Sequence, residues 1–335
     1  MKNFTYYRPA SVNDAVGLLD AQWGKTEILA GGTDLLDMQK EYVAQPEKVI
    51  SLGGVQDKDL TAVTVASAGA TIGAGVTLAQ IAEHTDLQKL YPALTTAAGQ
   101  VGGPQIRNMG TLGGNLCQRN RCWYFRDEPS PCLLRGGSHC SALDGENIYH
   151  AVFTQGHPCV LVNPSTLAPA LIVLGAEADV QSPKGKRTLP LERFFQSPRE
   201  NGQREHVLDP NEMVVCVRIP NRGLKNASYE VRHKRSYDWP LVQAAAAFKL
   251  DGGKASDVRI CLGHVDPMPL IVKKAALSLE GQEINEANAA KAGEIATEGV
   301  KPLADNTYKV QLIKVAVKRA LLAAAGKATD WEWTS

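Results

Sequence analysis

Five cysteines lie within 43 positions (117 to 159) of a chain of 335 residues, and this crowding is its most chemically suggestive pattern. Four of them follow one another with gaps of nine, seven and eighteen residues: Cys122, Cys132, Cys140 and Cys159. Four thiolates are the ligand set of an iron–sulfur cluster or of a zinc ion. Zinc sites usually contain two close cysteine pairs, and here only Cys117 and Cys122 form one. The spacing therefore favours iron–sulfur, with zinc and unliganded thiols as alternatives.

Two glycine pairs indicate a second kind of chemistry, the binding of a phosphate-bearing cofactor. The first lies in Ala30-Gly-Gly-Thr-Asp-Leu35 and the second in Gly110-Thr-Leu-Gly-Gly-Asn115. Small residues between a strand and a helix let backbone N–H groups approach a pyrophosphate, and the helix start adds favourable charge. Neither run matches the Rossmann fingerprint or a Walker A loop. Two such pairs favour opposite sides of one dinucleotide cradle, although tight structural turns use the same residues.

The elements that must position these motifs indicate a chain of mixed helix and sheet. A strand pattern leads into the first glycine pair, and others occur at 49–52, 213–219, 242–250 and 258–262. Helical patterns occur at 12–19, 90–99, 271–279, 287–298 and 308–325. Residues 101–108 are predicted as a loop, and a domain boundary is predicted near 222–226.

Composition excludes several classes of function. The formal net charge is +1, which gives no electrostatic basis for binding nucleic acid or a membrane surface. No apolar run reaches the roughly 18 residues of a membrane-spanning helix, so no membrane insertion is expected. The first residues lack the apolar segment of a signal peptide, which predicts a cytoplasmic protein, or a periplasmic one only by export with a partner. Trp331 and Trp333 are predicted to dock the C-terminus on this chain or a neighbour.

Four segments together resemble a known family: AGGTDL, GTLGGNL, NPSTLAPAL and YEVRHKRSYDWPLV. In this order they resemble the FAD-binding medium subunit of the molybdenum hydroxylases, the xanthine dehydrogenase and carbon monoxide dehydrogenase group. The run NLCQRNRC with its later cysteines is similar to the subunit of bacterial aldehyde oxidoreductases and of 4-hydroxybenzoyl-CoA reductase, which carries an extra 4Fe-4S cluster.

The resemblance implies an α+β fold in three parts. Residues 1–57 and 58–224 would form a two-part FAD-binding domain of the vanillyl-alcohol-oxidase/PCMH-like flavin fold. A cysteine loop at about 117–160 would be inserted in the second part. Residues 225–335 would form a C-terminal domain like that of the carbon monoxide dehydrogenase flavoprotein.

The resemblance also implies a set of site residues. The FAD contacts would be Leu29, Ala30, Gly31, Gly32, Thr33, Asp34, Leu35, Val101, Ile106, Gly110, Thr111, Gly114, Asn115 and Thr166. The family often has Ser-Asp where this chain has Ser165-Thr166, so one carboxylate contact is missing. The 4Fe-4S ligands would be Cys122, Cys132, Cys140 and Cys159, with Cys117 a neighbour and the replacement if Cys159 is not a ligand.

The function implied is that of an electron-transfer flavoprotein subunit. Substrate would react at a molybdenum cofactor in a large partner, and electrons would reach FAD here through a small 2Fe-2S partner and leave to an external acceptor. One alternative is a stand-alone FAD oxidoreductase, which the lack of an evident acid–base pair disfavours. Another is a non-catalytic scaffold with a zinc-bound loop. No Ser/His/Asp set, at His157 or any other histidine, indicates hydrolysis.

Overall fold

The structure is a computed structural model that describes residues 1–234 and 237–327. The predicted docking of Trp331 and Trp333 lies outside the described residues. Helices and strands alternate along the chain and form three separate sheets, one of three, one of four and one of five strands. The α+β class predicted from sequence is confirmed.

The first sheet is small and parallel, and it precedes the first glycine pair. Its strands are β1 (Thr5–Tyr7), β2 (Thr26–Leu29) and β3 (Lys48–Ser51), in the order β1-β3-β2. Helix α1 (Val12–Gly17) begins after Ser11, whose hydroxyl accepts a hydrogen bond from the Asp14 N–H. Helix α2 (Leu35–Lys40) begins after the glycine pair that follows β2. The chain therefore passes from a buried parallel strand through Gly31-Gly32 into a helix, as the sequence predicts.

The second sheet is antiparallel and carries most of the helices of the FAD-binding part. These elements are α3 (Lys58–Thr61), β4 (Val63–Ala66), β5 (Gly69–Gly73), α4 (Leu78–Glu83), α5 (Thr85–Leu90), α6 (Pro92–Gln100), α7 (Pro104–Met109), α8 (Leu112–Cys117), α9 (Trp123–Arg126), α10 (Leu167–Val173), β6 (Glu177–Ser182), β7 (Gly185–Pro190) and β8 (Met213–Pro220). The strand order is β4-β5-β8-β6-β7. Thr77 and Gln80 form a capping box at the start of α4, and the sequence Thr77-Leu-Ala-Gln80 is typical of one.

The third sheet belongs to the C-terminal part. It contains β9 (Lys225–Val231), β10 (Val242–Asp251), β11 (Lys254–Gly263) and β12 (Leu270–Ile271), in the order β12-β11-β10-β9, and it is followed by α11 (Lys273–Leu277), α12 (Glu286–Ile295) and α13 (Tyr308–Ala324). Helix α13 buries residues spaced three and four apart, from Ile313 to Leu321, against β9 and β10. The seven residues Val242–Phe248 are all buried because β10 is covered on both faces.

Two predicted elements differ from the structure. Residues 101–108, predicted as a loop, include helix α7, which begins at Pro104 because proline fits the first turn of a helix. The helix predicted at 271–279 is shorter, since residues 270–271 pair with β11 before α11 begins. Each of the three predicted segments contains one sheet, although the bounds at 57 and 224 stay a prediction.

Buried apolar residues form three clusters that match this division. One lies between the helices and the five-stranded sheet, and a second lies between the C-terminal sheet and α11–α13. The third joins α2 and β3 to the cysteine loop and contains Cys132, Cys140 and Cys159. Within the described residues, every helix falls short of the length and apolar character required to span a bilayer.

Candidate functional site

The first glycine pair is a tight turn pressed against another loop. Gly32 has a φ of +76°, which L-residues with a side chain rarely adopt. A Cβ on Gly31 would lie 1.7 Å from the carbonyl oxygen of Met109, at the end of α7. The turn that follows β2 therefore contacts backbone immediately before the second glycine motif. The two motifs, about 80 residues apart in sequence, meet in the structure.

The second glycine motif is the first turn of α8. Thr111 caps this helix, because its hydroxyl accepts a 3.1 Å hydrogen bond from the Gly114 N–H. Asn115 is buried within the helix, and its Oδ1 accepts hydrogen bonds from the Ser165 hydroxyl at 2.7 Å and the Leu167 N–H at 3.3 Å. This side-chain oxygen thus joins α8 to the start of α10.

A cavity of about 460 Å³ lies between these two motifs and the neighbouring segments. Of the residues predicted to contact FAD, those that line it are Ala30, Gly31, Gly32, Thr33, Asp34, Leu35, Val101, Ile106, Gly110, Thr111, Gly114, Asn115 and Thr166. Leu29 is not in the lining, and its side chain lies behind Gly32. The predicted cofactor residues therefore converge on one cavity, although whether each contacts FAD stays a prediction.

Several aromatic and basic residues of the cavity were missed at the sequence level. The guanidinium of Arg204 lies 4.6 Å from the ring centroid of Trp23 and pairs with Glu27 at 2.5 Å. The guanidinium of Arg121 lies 4.7 Å from the ring centroid of Trp239, in the C-terminal part. These pairs join residues far apart in sequence, so no local pattern could have indicated them. They add positive charge and flat surfaces to a cradle that is otherwise glycine-rich.

Asp34 lines the cavity and its carboxylate is held by arginines of the cysteine loop, while its predicted contact with a pyrophosphate stays a prediction. Its Oδ1 pairs with Arg126 at 2.6 Å and Arg121 at 3.1 Å, and its Oδ2 accepts a 2.9 Å hydrogen bond from the Arg119 N–H. Burial alone would raise the pKa of Asp34, but the arginine charges and these hydrogen bonds outweigh it and hold the pKa below its ordinary value. The carboxylate therefore anchors the start of the cysteine loop.

The cysteine loop gathers the four predicted ligands into one buried region. The thiols of Cys140 and Cys159 share a hydrogen bond, which lowers the pKa of Cys140 to about 6 and raises that of Cys159. Cys122 is close enough to Cys132 and Cys140 for their charges to interact with it. Its Sγ also lies 3.1 Å from Nε2 of His150. Sequence spacing alone could not have shown that four segments of this loop converge.

Cys117 lies apart from these thiols. It is the last residue of α8 and lines the cavity near Arg204, and burial raises the pKa of its thiol to about 12. In the part of the chain that the structure describes, no group of three or more His, Cys, Asp or Glu side chains is arranged to hold a metal ion. The structure thus does not support the predicted iron–sulfur site, although the four thiols share one region.

The surroundings of His157 correct the prediction that the histidines lack triad-like neighbours. Nδ1 of His157 lies 2.8 Å from the hydroxyl oxygen of Ser197, and its Nε2 lies 3.8 Å from Oδ2 of Asp266. The three residues come from distant segments, so only folding brings them together. The Asp266 contact exceeds hydrogen-bond distance, and none of the three residues lines the cavity. This arrangement is therefore no basis for assigning hydrolysis.

Comparisons with known proteins identify the class. A family model described as the FAD binding domain in molybdopterin dehydrogenase matches residues 2–222, and one described as the CO dehydrogenase flavoprotein C-terminal domain matches residues 227–324. The aldehyde oxidoreductase FAD-binding subunit of Escherichia coli is 34% identical over 335 residues, covering 98% of this chain and 100% of that protein. The carbon monoxide dehydrogenase medium chain of Hydrogenophaga pseudoflava is 27% identical, covering 96% of each chain.

Solved structures agree with these matches. Carbon monoxide dehydrogenase from Hydrogenophaga pseudoflava superposes with a TM-score of 0.76 at 26% identity, covering 98% of this chain and 99% of the other. Quinoline 2-oxidoreductase from Pseudomonas putida superposes with a TM-score of 0.74 at 25% identity, covering 97% and 98%. The chain belongs to the family of FAD-binding medium subunits of the molybdenum hydroxylases, and it is an FAD-dependent oxidoreductase subunit.

Proposed function

We propose that this chain is the electron-transfer flavoprotein subunit of a molybdenum-containing hydroxylase of the aldehyde oxidoreductase type. It would bind FAD in the cavity between the two glycine motifs and pass electrons from a small iron–sulfur partner to an external acceptor. The observation that carries this proposal is the meeting of the motifs, at the contact between Gly31 and Met109, around a space that the predicted residues line.

The residues of the cavity suit a dinucleotide. The turn at Gly31 and Gly32 and the start of α8 bring backbone close to the space, and Arg119 and Arg121 add positive charge suited to a pyrophosphate. When bound, the flavin would accept electrons and release them singly or in pairs. The protein would supply orientation, charge and shielding from water.

The ionisable residues of the cavity favour a subunit over a stand-alone enzyme. Glu27 pairs with Arg204, Asp34 with Arg121 and Arg126, and Glu212 with Arg187 at 2.6 Å. His206 also lines the cavity, and burial together with the charge of Arg204 lowers its pKa to about 3. Three carboxylates held by arginines and a neutral histidine are poorly suited to proton transfer with a substrate. Asp238, the other carboxylate of the lining, accepts a 3.0 Å hydrogen bond from the Lys234 N–H. Substrate chemistry would then occur in another chain.

Cys122, Cys132, Cys140 and Cys159 would hold a 4Fe-4S cluster beside the flavin, a proposal that rests on the burial of these thiols in one region. Asp34 supports it, because this residue of the cavity lining holds the backbone and side chains that lead into Cys122. A zinc ion in the same loop is the competing assignment. The same proposal includes a large partner that holds the molybdenum cofactor, a small 2Fe-2S partner and a cytoplasmic location.

Anaerobic purification, an absorbance spectrum and metal analysis test these assignments together. Flavin with about four iron and four sulfide per chain is the expected result. If the protein contains flavin and zinc, the loop holds a structural zinc ion and not an iron–sulfur cluster. Absence of flavin would contradict the proposed function. Co-purification of a large and a small partner would separate a subunit from a stand-alone enzyme.

Two matched serine variants test the choice of ligands. Cys159→Ser is expected to lose iron while keeping FAD, because Cys159 lies with the other three thiols. Cys117→Ser is expected to keep its iron, because Cys117 lies at the cavity instead. Both effects are measured as the ratio of iron, determined by colorimetric assay, to bound flavin. Full iron in Cys159→Ser with loss in Cys117→Ser would show that Cys117 is the fourth ligand.

A further inference from the structure

A seam of buried polar residues joins the C-terminal sheet to the FAD-binding part. Strand β9 alternates, so that Asn226, Ser228 and Glu230 are buried on one face. Asn226 accepts a hydrogen bond from the Ala93 N–H at 2.9 Å, at the start of α6. Gln243, opposite Glu230 on β10, donates to the Ser228 hydroxyl and to the Thr166 carbonyl oxygen, both at 2.9 Å. This face of β9 therefore packs directly behind the wall of the cavity.

Glu230 is the carboxyl group of this seam, and it is unusually poor in partners. Its side chain is 1% exposed and pairs with Arg232 at 3.1 Å. Among the described residues, neither carboxyl oxygen accepts a hydrogen bond of good geometry. A buried carboxylate normally needs several donors to remain charged. The cost of burial therefore outweighs the attraction of Arg232 and raises the pKa of Glu230 to about 7.

Two other buried carboxyl groups, one in each part of the chain, are arranged differently. Glu205 pairs with Arg119 at 2.8 Å and accepts hydrogen bonds from the backbone and side chain of Asn120, and its pKa is lowered despite its burial. Burial also raises the pKa of Asp266, but that group accepts a 2.9 Å hydrogen bond from the Met268 N–H and faces His157. Glu230 thus combines deep burial with a single ion pair.

Arg232 connects this carboxyl group to the cavity. Its Nη1 donates a 3.0 Å hydrogen bond to the carbonyl oxygen of Gln100, which lines the cavity at the end of α6. The next two carbonyl oxygens, of Val101 and Gly102, accept from Arg107 at 3.3 and 2.6 Å. Arg232 therefore links Glu230 to Gln100, a residue of the cavity lining.

Among residues 1–234 and 237–327, few other charged groups face Glu230. Helix α6 has no ionisable side chain except its starting neighbour Tyr91, and β10 contributes the neutral Gln243. His264 feels the charges of Arg232 and Lys309, and burial with these charges lowers its pKa to about 3, so it stays neutral. Lys309 donates to three carbonyl oxygens, and burial lowers its pKa to about 7. Arg232 is therefore the direct charged neighbour, and Lys309 is the other group that titrates near neutrality.

We propose that Glu230 is the proton acceptor coupled to reduction of the flavin, taking up a proton from solvent when negative charge develops in the adjoining cavity. The inference rests on the proposed function. Two electrons from the reduced iron–sulfur partner and one proton convert the oxidised flavin to its anionic hydroquinone, which carries one more negative charge. Protonation of the Glu230 carboxylate offsets that charge behind the wall, while Arg232 keeps its charge. Reoxidation would pass two electrons and the flavin proton to the acceptor and return the Glu230 proton to solvent.

The test is the pH dependence of the midpoint potential of bound FAD, measured by spectroelectrochemistry on the holoprotein between pH 5.5 and 8.5. Near pH 8, where most Glu230 carboxyl groups are ionised before reduction, the wild type is expected to take up close to one more proton per two electrons than Glu230→Gln, which keeps the shape but cannot titrate. At pH 7, where about half of these groups are already protonated, the excess should be about half a proton or less. Glu177→Gln, an exposed glutamate paired with Arg218, is the matched control and should follow the wild type. The proposal would be overturned if the midpoint potentials of the wild type and of Glu230→Gln, both with a full content of flavin, changed identically with pH.

A second measurement needs no flavin. Because the pKa of Glu230 is raised in the folded state, the stability of the apoprotein should fall as pH rises from the ordinary glutamate value of about 4.3 to about 7. The stability of Glu230→Gln should not fall in this way over the same pH range. Titration of Lys309 would change the stability of either protein only above about pH 7. Identical urea midpoints in both proteins across this range would overturn the titration of Glu230. Absence of flavin from the wild type would instead contradict the proposed function.

Discussion

The two glycine motifs are alike in sequence and different in structure. Ala30–Leu35 forms a turn in which Gly32 has a positive φ and Gly31 lies against the Met109 carbonyl. Gly110–Asn115 instead begins a helix, where a Cβ on Gly114 would meet only the Thr111 hydroxyl oxygen, at 3.0 Å. Glycine is required for space and backbone conformation in the first motif and is far less constrained at Gly114. Its neighbour Gly113 is closely packed as well, since a Cβ there would lie 2.9 Å from the Cβ of Ala74. Glycine is therefore present for different physical reasons on the two sides of one cavity.

Asp34 and Asn115 extend this difference to the residues that close each motif. Asp34 is charged and holds arginines of the cysteine loop, whereas Asn115 is neutral and holds Ser165 and Leu167 at the start of α10. One motif is therefore tied electrostatically to the loop that carries the cysteines. The other is tied by neutral hydrogen bonds to the apolar core.

Replacing Gly31 by alanine should have the largest effect. The new Cβ would lie 1.7 Å from a backbone oxygen, so the turn or the end of α7 must move. Overpacking of this kind costs roughly 1–3 kcal/mol, and a cost of about 3 kcal/mol borne by the FAD-binding conformation would lower FAD affinity by roughly 100-fold. Flavin content and fluorescence titration of the apoprotein with FAD measure it. Gly114→Ala is the matched control and should change affinity by less than about tenfold; equal losses in both variants would remove the contrast between the motifs.

Asp34→Asn should have the next largest effect, by releasing Arg121 and Arg126 from their shared partner. The expected loss of stability is about 2 kcal/mol at pH 7, below the range for a fully buried pair because the Asp34 side chain is 19% exposed. The pKa of Asp34 is lowered in the folded state, so its contribution is present above the ordinary value of about 3.9 and is lost as pH falls through the folded value.

Urea unfolding at several pH values measures this second effect. The gap between wild type and Asp34→Asn should be widest near pH 7 and should narrow as the solution becomes acidic. Asp37→Asn is a suitable control, because Asp37 is half exposed and, among the described residues, its carboxylate has a single ion pair, with Nη1 of Arg126 at 3.2 Å. A gap independent of pH would show that Asp34 acts through packing and not through charge.

Thr111→Val should have the smallest effect, since it removes one capping hydrogen bond at the second motif. Loss of such a cap costs about 1 kcal/mol. Thr77→Val removes the equivalent cap at α4, outside the cavity lining, and provides the control. Both variants should lower the urea midpoint by similar amounts, but only Thr111→Val should also weaken FAD binding. Unchanged FAD affinity in Thr111→Val would mean that the cap stabilises α8 but does not contribute to FAD binding.

Much of the fold and of the candidate site could be predicted because their signals are local. The alternation and apolar runs around β2, β8 and β10 depend on neighbouring residues, and so does the capping box at Thr77. Helix α7 was missed because the glycines and the proline around it resemble a loop. Arg204 on Trp23 and Arg121 on Trp239 were missed because each pair joins distant segments.

The sequence by itself determined the motif types, the four spaced cysteines and the mixed helix-and-sheet class, since these depend on residue identity and short-range periodicity. Only the tertiary structure decided which glycine pair is a strained turn and which begins a helix. It also decided that Asp34 holds arginines, that Cys117 lies apart from the other thiols, and that Glu230 is buried with a single ion pair behind the cavity wall. Burial and charge pairing depend on residues brought together from distant parts of the chain, and local sequence does not contain that information.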